Sequence, residues 1–401
     1  MPFQHKACWV TSQIALFNSL GVAIASDTVT THTQGSSVKT TNNSEKIWLV
    51  GPDHLVAVVV SGSVVVNGSN VRNFVTEWSR TLDGPLETIA EYPESFSRWL
   101  QANTHLASNE SQLYRVQSAV HDHYSFMARR LRYLLNPENG ENEPTEVWAS
   151  VLGEAQEYLQ GLPLFDGATD QEDAALLAVE DVGFEKLVSD LLSSFDLYEQ
   201  HQPAVLQQAP LVLSRVQGMP GDAELGFVGF GATDHHAKSV RVNLRGCYGD
   251  RWRLAIDKPF GSDGSGFSGS IAFFAQADAI QGFLRGSHFA LVDRAVDYVW
   301  DAVYNMIEGD DDVDLADQVA SGLRSELQRH QSELFVNPML DTIGGLPLTN
   351  LASLAESLVG IQATRSAAEA GPATVGGFIE TLLISRAHGL QWVNRLPGLP
   401  T

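Results

Sequence analysis

Three residues near the start of this sequence have the types and spacing for nucleophilic chemistry: Thr11, Asp27 and Lys46. A strand that begins at Thr11, reverses at Asn18-Ser19 and returns to Asp27 sets the carboxylate beside the strand's beginning. Lys46 opens the next hairpin. An ammonium between a carboxylate and a hydroxyl holds the hydroxyl in place, and its charge lowers the pKa of a neighbouring amine. That combination makes threonine, a weak nucleophile, usable. Each residue also has a plain structural reading. Thr11 is a β-branched strand residue, Asp27 a turn residue, Lys46 a surface charge and Gly62 a bulge or tight-turn glycine. A lysine leading directly into Ile47-Trp48-Leu49-Val50 is unusual for a surface charge, which favours a joint role.

The elements that must position these residues are two hairpins, over residues 7–17 with 21–26 and over 46–50 with 55–60. Gly51-Pro52-Asp53 is turn chemistry, and the apolar run Leu55 to Val60 predicts a strand buried on both faces. Val71, Phe74, Val75 and Trp78 fall at helical spacing and predict a helix across that sheet, so the class is layered α/β. Residues 85–215 carry helical patterns, including 114–135 and 184–198, separated by the polar stretch 136–144, and predict a helical insertion. Strand character returns at 225–230 and 239–244. A Gly/Ser-rich loop at 261–270 follows, then helices to about residue 332 and a final strand at 378–384.

Taken in register, these residues resemble the proteasome β-subunits and their bacterial relatives among the N-terminal-nucleophile hydrolases. Thr11-Ser12-Gln13-Ile14-Ala15-Leu16 and Gly21-Val22-Ala23-Ile24-Ala25-Ser26-Asp27 match the family's first two strands without a gap. Asn42-Asn43-Ser44-Glu45-Lys46-Ile47-Trp48 is similar to its lysine segment, with about three extra residues in the intervening loop. Ser61-Gly62-Ser63 falls where the family has its oxyanion-hole glycine, and Thr31 matches a substrate-binding threonine. Gly376-Gly377-Phe378-Ile379-Glu380-Thr381-Leu382-Leu383-Ile384 is similar to its late Gly-Gly strand, and Gly264-Ser265-Gly266 to its Gly-Ser-Gly loop.

The resemblance implies a four-layer αββα sandwich, a single domain over 1–401 interrupted by the 85–215 helices. It implies a threonine peptidase or amide hydrolase that uses Thr11 once residues 1–10 are removed, because the family's general base is the free amine of that threonine. Asp27 and Lys46 tune the pair and Gly62 binds the oxyanion. Thr31, Val60 and Val64 contact substrate, with Trp48 nearby hinting at apolar or neutral side chains, and Ser265 and Ser268 are candidate supporting hydroxyls. No cofactor or metal is implied. The implied partners are further copies of the chain, in a ring or a smaller assembly, a peptide or protein substrate and an ATPase. The departures are Pro372 and Val375, where active members carry an aspartate and a serine, and Val10 in place of a glycine before the threonine. These suit the alternative, an inactive scaffold or ring subunit that keeps its N-terminal extension.

Composition narrows the classes. With 401 residues, 44% hydrophobic and 18% charged, the chain can bury one or two cores. The 25 Lys and Arg against 48 Asp and Glu leave a net charge of -23, which repels nucleic acids and anionic membranes. Cys8 and Cys247 are the only cysteines, which excludes a disulfide framework and fits the cytoplasm. Polar residues interrupt the apolar run before Ala25, against a secretory signal, and no stretch has the roughly 18 uninterrupted apolar residues of a membrane span. His121, Asp122 and His123, and the pair His235-His236, lack partners at zinc spacing. Asp310, Asp312 and Asp314 lack the glycine and glutamate of a calcium loop. The 266–270 segment misses the last glycine of a nucleophile elbow, and Gly229-Phe230-Gly231 lacks the third glycine of a dinucleotide loop.

Overall fold

Asn18 shows how local chemistry starts the fold. Its side-chain oxygen accepts from the N–H groups of Leu20 (2.9 Å) and Gly21 (3.3 Å), closing a tight turn between two strands. Its amide nitrogen donates to the carbonyl of Leu346 (2.8 Å), tying the turn to a distant helix. A side chain at Gly21 would meet the Ile384 carbonyl at 2.3 Å, so glycine lets the returning strand approach its neighbour.

The computed structural model describes residues 11–34, 37–41, 44–139, 142–178, 182–219, 221–262, 269–306, 312–369 and 374–398. The chain opens with β1 (Ser12–Asn18), β2 (Gly21–Asp27), the hairpin β3 (Thr30–Gln34) and β4 (Ser37–Thr41), β5 (Ile47–Leu49) and β6 (Val56–Gly62). The short pair β7 (Val65–Val66) and β8 (Ser69–Asn70) leads into α1 (Val71–Ser79) and α2 (Glu91–Ala102). Six helices follow: α3 (Asn109–Leu134), α4 (Pro144–Gly161), α5 (Asp170–Leu177), α6 (Phe184–Leu192), α7 (Tyr198–Leu206) and α8 (Ala209–Ser214). Strands resume as β9 (Ala223–Gly229), β10 (Lys238–Tyr248), β11 (Arg251–Ile256), β12 (Phe260–Gly261) and β13 (Ser270–Ala275). Then come α9 (Asp278–Arg285), α10 (Phe289–Met306), α11 (Asp312–Gln331), α12 (Asn337–Gly345), α13 (Leu348–Ala368), β14 (Ile379–Ser385) and β15 (Gly389–Asn394).

The class is mixed α/β, with antiparallel sheets covered by helices. One sheet has the order β13-β1-β2-β14-β15, the other β11-β10-β9-β6-β5 with β12 paired to β10. Alternation along the strands separates the cores. Ala15, Phe17 and Ile24 of the first sheet share one cluster with Ala57, Val59 and Val228 of the second. Ile14, Leu16, Ala23 and Ala25 face the other way, against Ile280, Ile343, Leu351 and Leu358 of α9, α12 and α13. Val58, Val60 and Phe227 pack against Phe74, Trp78 and Phe96 of α1 and α2. Strand β6 is therefore buried on both faces, as its unbroken apolar run predicts.

Helices α3 to α8 form their own core around Tyr124, Trp148, Leu159, Val188 and Val212, which Tyr248 of β10 joins. Helix α2 packs in the sheet's cluster instead, so the separate helical block starts at Asn109, not at residue 85. Buried ion pairs dock the block on the strands: Arg115 of α3 on Asp222, which also holds Arg245 of β10, and Arg253 of β11 on Asp173 of α5 at 2.7 Å.

Several elements differ from the sequence expectation. The helix over 184–198 is two, because Leu197 turns the chain with a left-handed φ of 66°. Helix α13 mixes Leu351, Leu358 and Val359 on its core face with the small or polar Ala352, Ala355, Gln362 and Ser366, which blurs its apolar period. Strand β13 follows the Gly/Ser-rich loop before the helices begin at Asp278, and pairs with β1 throughout. Strand β14 is not the last, since the turn at 386–388 returns the chain as β15. Residues 7–10, Cys8, Gly264, Ser265, Gly266, Ser268, Asp310 and Pro372 lie outside the described residues.

Candidate active site

Thr11 stands immediately before β1, and its carbonyl accepts from the N–H of Gln276 (2.8 Å), just past β13. The register pairs Gln13 with Ser26, which sets Asp27 across from the start of β1, as the hairpin argument predicts. Lys46 comes from the other sheet: its carbonyl accepts from the N–H of Val60 (3.1 Å), extending the β5–β6 pairing by one residue. Thr11, Asp27 and Lys46 thus meet where both sheets end, and all three are buried, Thr11 at 7% exposure.

Lys46 Nζ donates to Thr11 Oγ1 (2.9 Å), to Asp27 Oδ1 (2.8 Å) and to the carbonyl of Val29. Three acceptors use all three ammonium hydrogens, so this geometry is that of the protonated lysine. Burial pulls the Lys46 pKa below the ordinary lysine value, opposed by the carboxylates of Asp27 and Glu380. The Thr11 hydroxyl, receiving a bond from a cation, keeps its own hydrogen free to give away, and the nearby charge favours its alkoxide.

Asp27 is held by more than the lysine. Its Oδ1 accepts from the Ser12 N–H (3.0 Å), and its Oδ2 from the N–H groups of Val29 (3.3 Å) and Gly376 (3.1 Å). The segment before β14 is fastened here: Thr28 N–H donates to the Gly376 carbonyl (3.3 Å) and Phe378 N–H to Thr28 Oγ1 (3.0 Å). Ser366 on α13 accepts from the N–H groups of Thr374 (2.9 Å) and Val375 (3.2 Å). Val375 is itself buried and supplies no hydroxyl.

Other expected residues are distributed more widely. Gly62 ends β6 at an exposed position with a φ of 73°, where glycine is suited and a side chain strained. The end of β6 is tied to β1 because Gln13 Nε2 donates to the Val60 carbonyl (2.7 Å). The Val60 side chain points away from Thr11, into the cluster beneath α1. Trp48 lies in that cluster and Val64 packs against it, so the structure does not gather these three around the hydroxyl. Thr31 lies in β3 opposite Thr40. His121 lies 3.8 Å from Asp122 and within 3.4 Å of the Ser125 hydroxyl, and His123 is buried against Gln208. Among the described residues no three His, Cys, Asp or Glu side chains are grouped to hold a metal. Nor is any described helix long and apolar enough to cross a membrane.

Glu380 was not singled out as a site residue. It is fully buried on β14, opposite Ser26, and accepts from the Leu396 N–H (3.3 Å). Burial raises its pKa, and its charge acts on Lys46. The signal was a lone acid inside the apolar run 378–384. No protein-family model matches this chain, and no curated protein matches it.

Proposed function

We propose that this chain is the precursor of a threonine-type amide hydrolase, built like a proteasome β-subunit as a four-layer αββα sandwich. The observation that carries the reading is Lys46 Nζ lying 2.9 Å from Thr11 Oγ1 and 2.8 Å from Asp27 Oδ1. Cleavage of the Val10–Thr11 bond frees an α-amine next to the hydroxyl. The Lys46 ammonium beside it depresses that amine's pKa, so it is neutral and basic near pH 7. The amine takes the hydroxyl proton as Oγ1 adds to a substrate carbonyl, and the Gly62 N–H receives the oxyanion. Collapse expels the amine product, which takes the proton, and leaves an ester on Thr11. Water hydrolyses that ester with the same amine as base.

The substrate is a peptide or protein, held near Thr31 and the end of β6. Val60 and Val64, buried or partly buried under α1, enter this reading only through the backbone they shape. No cofactor takes part. The chain works in the cytoplasm as a homo-oligomer, in a ring or a smaller assembly, with an ATPase as a possible feeder. The intact mass of the purified chain tests the reading: the mature protein begins at Thr11 and cleaves fluorogenic peptides, whereas Thr11→Ala keeps residues 1–10 and is inert. A chain that starts at Met1 or Pro2 and leaves peptides untouched overturns it.

A second reading, a non-catalytic subunit on the same scaffold, is favoured by Val375, which gives the Asp27-binding segment a buried methyl surface instead of a hydroxyl. That subunit retains its N-terminal extension and still assembles.

A further inference from the structure

Strand β13 is the margin of the first sheet, and a cleft of about 620 Å³ opens between it and strands β9 and β10 of the second. That volume lies within the roughly 300–1,000 Å³ of small-molecule sites. Val242 and Ile256 point toward α1 and α2, so alternation turns their neighbours Arg241 and Asp257 the other way, into the cleft. The Asp257 N–H donates to the Arg241 carbonyl (2.9 Å), which sets these two residues opposite each other. Side chains so placed lie about 5 Å apart, and an acid and a base there ordinarily pair.

Here they do not. Arg241 is drawn away from Asp257: its Nε lies 3.2 Å from Glu224 Oε2, its Nη2 donates to the Phe273 carbonyl (2.7 Å), and its guanidinium lies over the Phe274 ring. Buried Glu224 already serves three donors, Arg241, the Ser61 hydroxyl (3.3 Å) and the Ala275 N–H. Two groups in the cleft are left without a partner among the described residues, Arg241 Nη1 and the carboxylate of exposed Asp257. Beside them the wall is apolar, made by Ala272 and by Phe260, which is 50% exposed.

We propose that this cleft binds a small zwitterion with an apolar side chain, a free α-amino acid or a dipeptide, its carboxylate on Arg241 Nη1 and its ammonium on Asp257. A carboxylate alone faces repulsion from Asp257, and an ammonium alone faces repulsion from Arg241. The zwitterion turns both into attraction. The charges of the lining agree, since its two acids, Glu224 and Asp257, match its two cations, Arg241 and Lys258. A ligand without net charge also escapes the repulsion that a free anion meets from a chain of net charge -23. The ligand's side chain lies against Phe260. The inner end of the cleft reaches Ala275, which pairs with Ser12 and precedes the N–H that holds the Thr11 carbonyl, so the site adjoins the Thr11 segment without using its hydroxyl.

Isothermal titration calorimetry of the full chain with L-phenylalanine and with alanyl-phenylalanine tests this, and the tighter of the two identifies the source. N-acetylphenylalanine, which lacks the ammonium, and phenylalaninamide, which lacks the carboxylate, each bind roughly 10-fold or more weakly. Asp257→Asn weakens the zwitterion to a similar degree and leaves N-acetylphenylalanine no weaker than before. Arg241→Gln weakens the zwitterion likewise and spares phenylalaninamide. Should Arg241→Gln unfold because it strands Glu224, Asp257→Asn and Phe260→Ala, both on the exposed rim, carry the test by weakening the zwitterion. Thr11→Ala binds like the wild type, so an inert or unprocessed chain sinks the hydrolase reading alone. Absence of binding by both zwitterions at millimolar concentration, a capped form that binds as tightly, or an Asp257→Asn chain with wild-type affinity each overturns the proposal.

Discussion

Replacing Lys46 by methionine removes a buried ammonium that serves Thr11, Asp27 and the Val29 carbonyl together. Taking one partner from a buried ion pair costs about 3–5 kcal/mol, because the other charge is stranded away from water. Asp27 is not wholly stranded. The N–H groups of Ser12, Val29 and Gly376 still point at its carboxylate, and hydrogen bonds to a charged group are worth about 1.5–3 kcal/mol each. The loss for Lys46→Met should therefore sit near the low end, about 3 kcal/mol. Asp27→Asn leaves the ammonium with neutral acceptors alone, Thr11 Oγ1, the Val29 carbonyl and an amide oxygen, and should cost at least as much. The double variant lacks both members of the pair, so a urea-denaturation cycle should return a coupling of about 2–3 kcal/mol. Additivity within about 0.5 kcal/mol would refute the argument that the two act as a pair.

The same lysine gives a pH dependence with a definite sign. Burial lowers its pKa in the folded chain, below the unfolded value near 10.5. Between those two values the unfolded chain binds more protons, so this group's contribution to stability rises with pH there and is lost as pH falls through the folded pKa. Wild-type stability should accordingly climb toward alkaline pH relative to that of Lys46→Met.

Asp173, buried beside Arg253, has its pKa pushed up by burial to about 6, so its contribution to stability should fall as pH rises from near 4 to near 6. Asp173→Asn should flatten that slope in denaturation curves taken across the window. The thiol of Cys247 is buried and raised to about 12, chiefly by burial, so iodoacetamide at pH 8 should label this residue only after unfolding. Gly21→Ala should destabilise by about 2 kcal/mol or more, because its methyl meets the Ile384 carbonyl. Gly153→Ala, in open space on α4, should stabilise by up to about 1 kcal/mol in the same assay.

How far each part was legible follows from what the period of side chains encodes. The β1–β2 and β5–β6 hairpins and α1 were readable because their faces differ or are wholly apolar, and turn residues bound them. With the hairpins came Thr11, Asp27 and Lys46, since antiparallel pairing brings a strand's start beside its partner's end. Strand β11 alternates Arg251 and Arg253 with apolar residues, but Arg253 is buried on Asp173, so charge hid a core strand. Helix α13 was missed for the converse reason. It packs on Ala23 and Ala25 through Leu351, Leu358 and Val359 interspersed with Ala352, Ala355, Gln362 and Ser366, and the small and polar members of that face carry little hydrophobic period. The fastening of Asp27 by the Gly376 N–H joins residues 349 apart in sequence, a pairing that no local pattern encodes.

That long-range fastening bears on the choice between enzyme and scaffold. Asp27 accepts from the start of β1, from its own strand end and from the segment before β14, and Lys46 adds the second sheet. One carboxylate and one ammonium therefore satisfy backbone donors and acceptors at the point where both sheets end. Leaving such groups unpaired in a buried place costs about 1–3 kcal/mol each. A chain that never hydrolyses anything still gains from Asp27 and Lys46, so keeping them follows from the fold alone. Thr11 is different. Its hydroxyl is one of three acceptors around Lys46, and a serine would accept the same bond. Thr11→Ser should accordingly leave urea stability within about 1 kcal/mol of wild type. Only a freed α-amine gives the hydroxyl a base. On the proposed hydrolase reading, cleavage before Thr11, rather than the presence of the three side chains, is therefore the event that separates an enzyme from a scaffold.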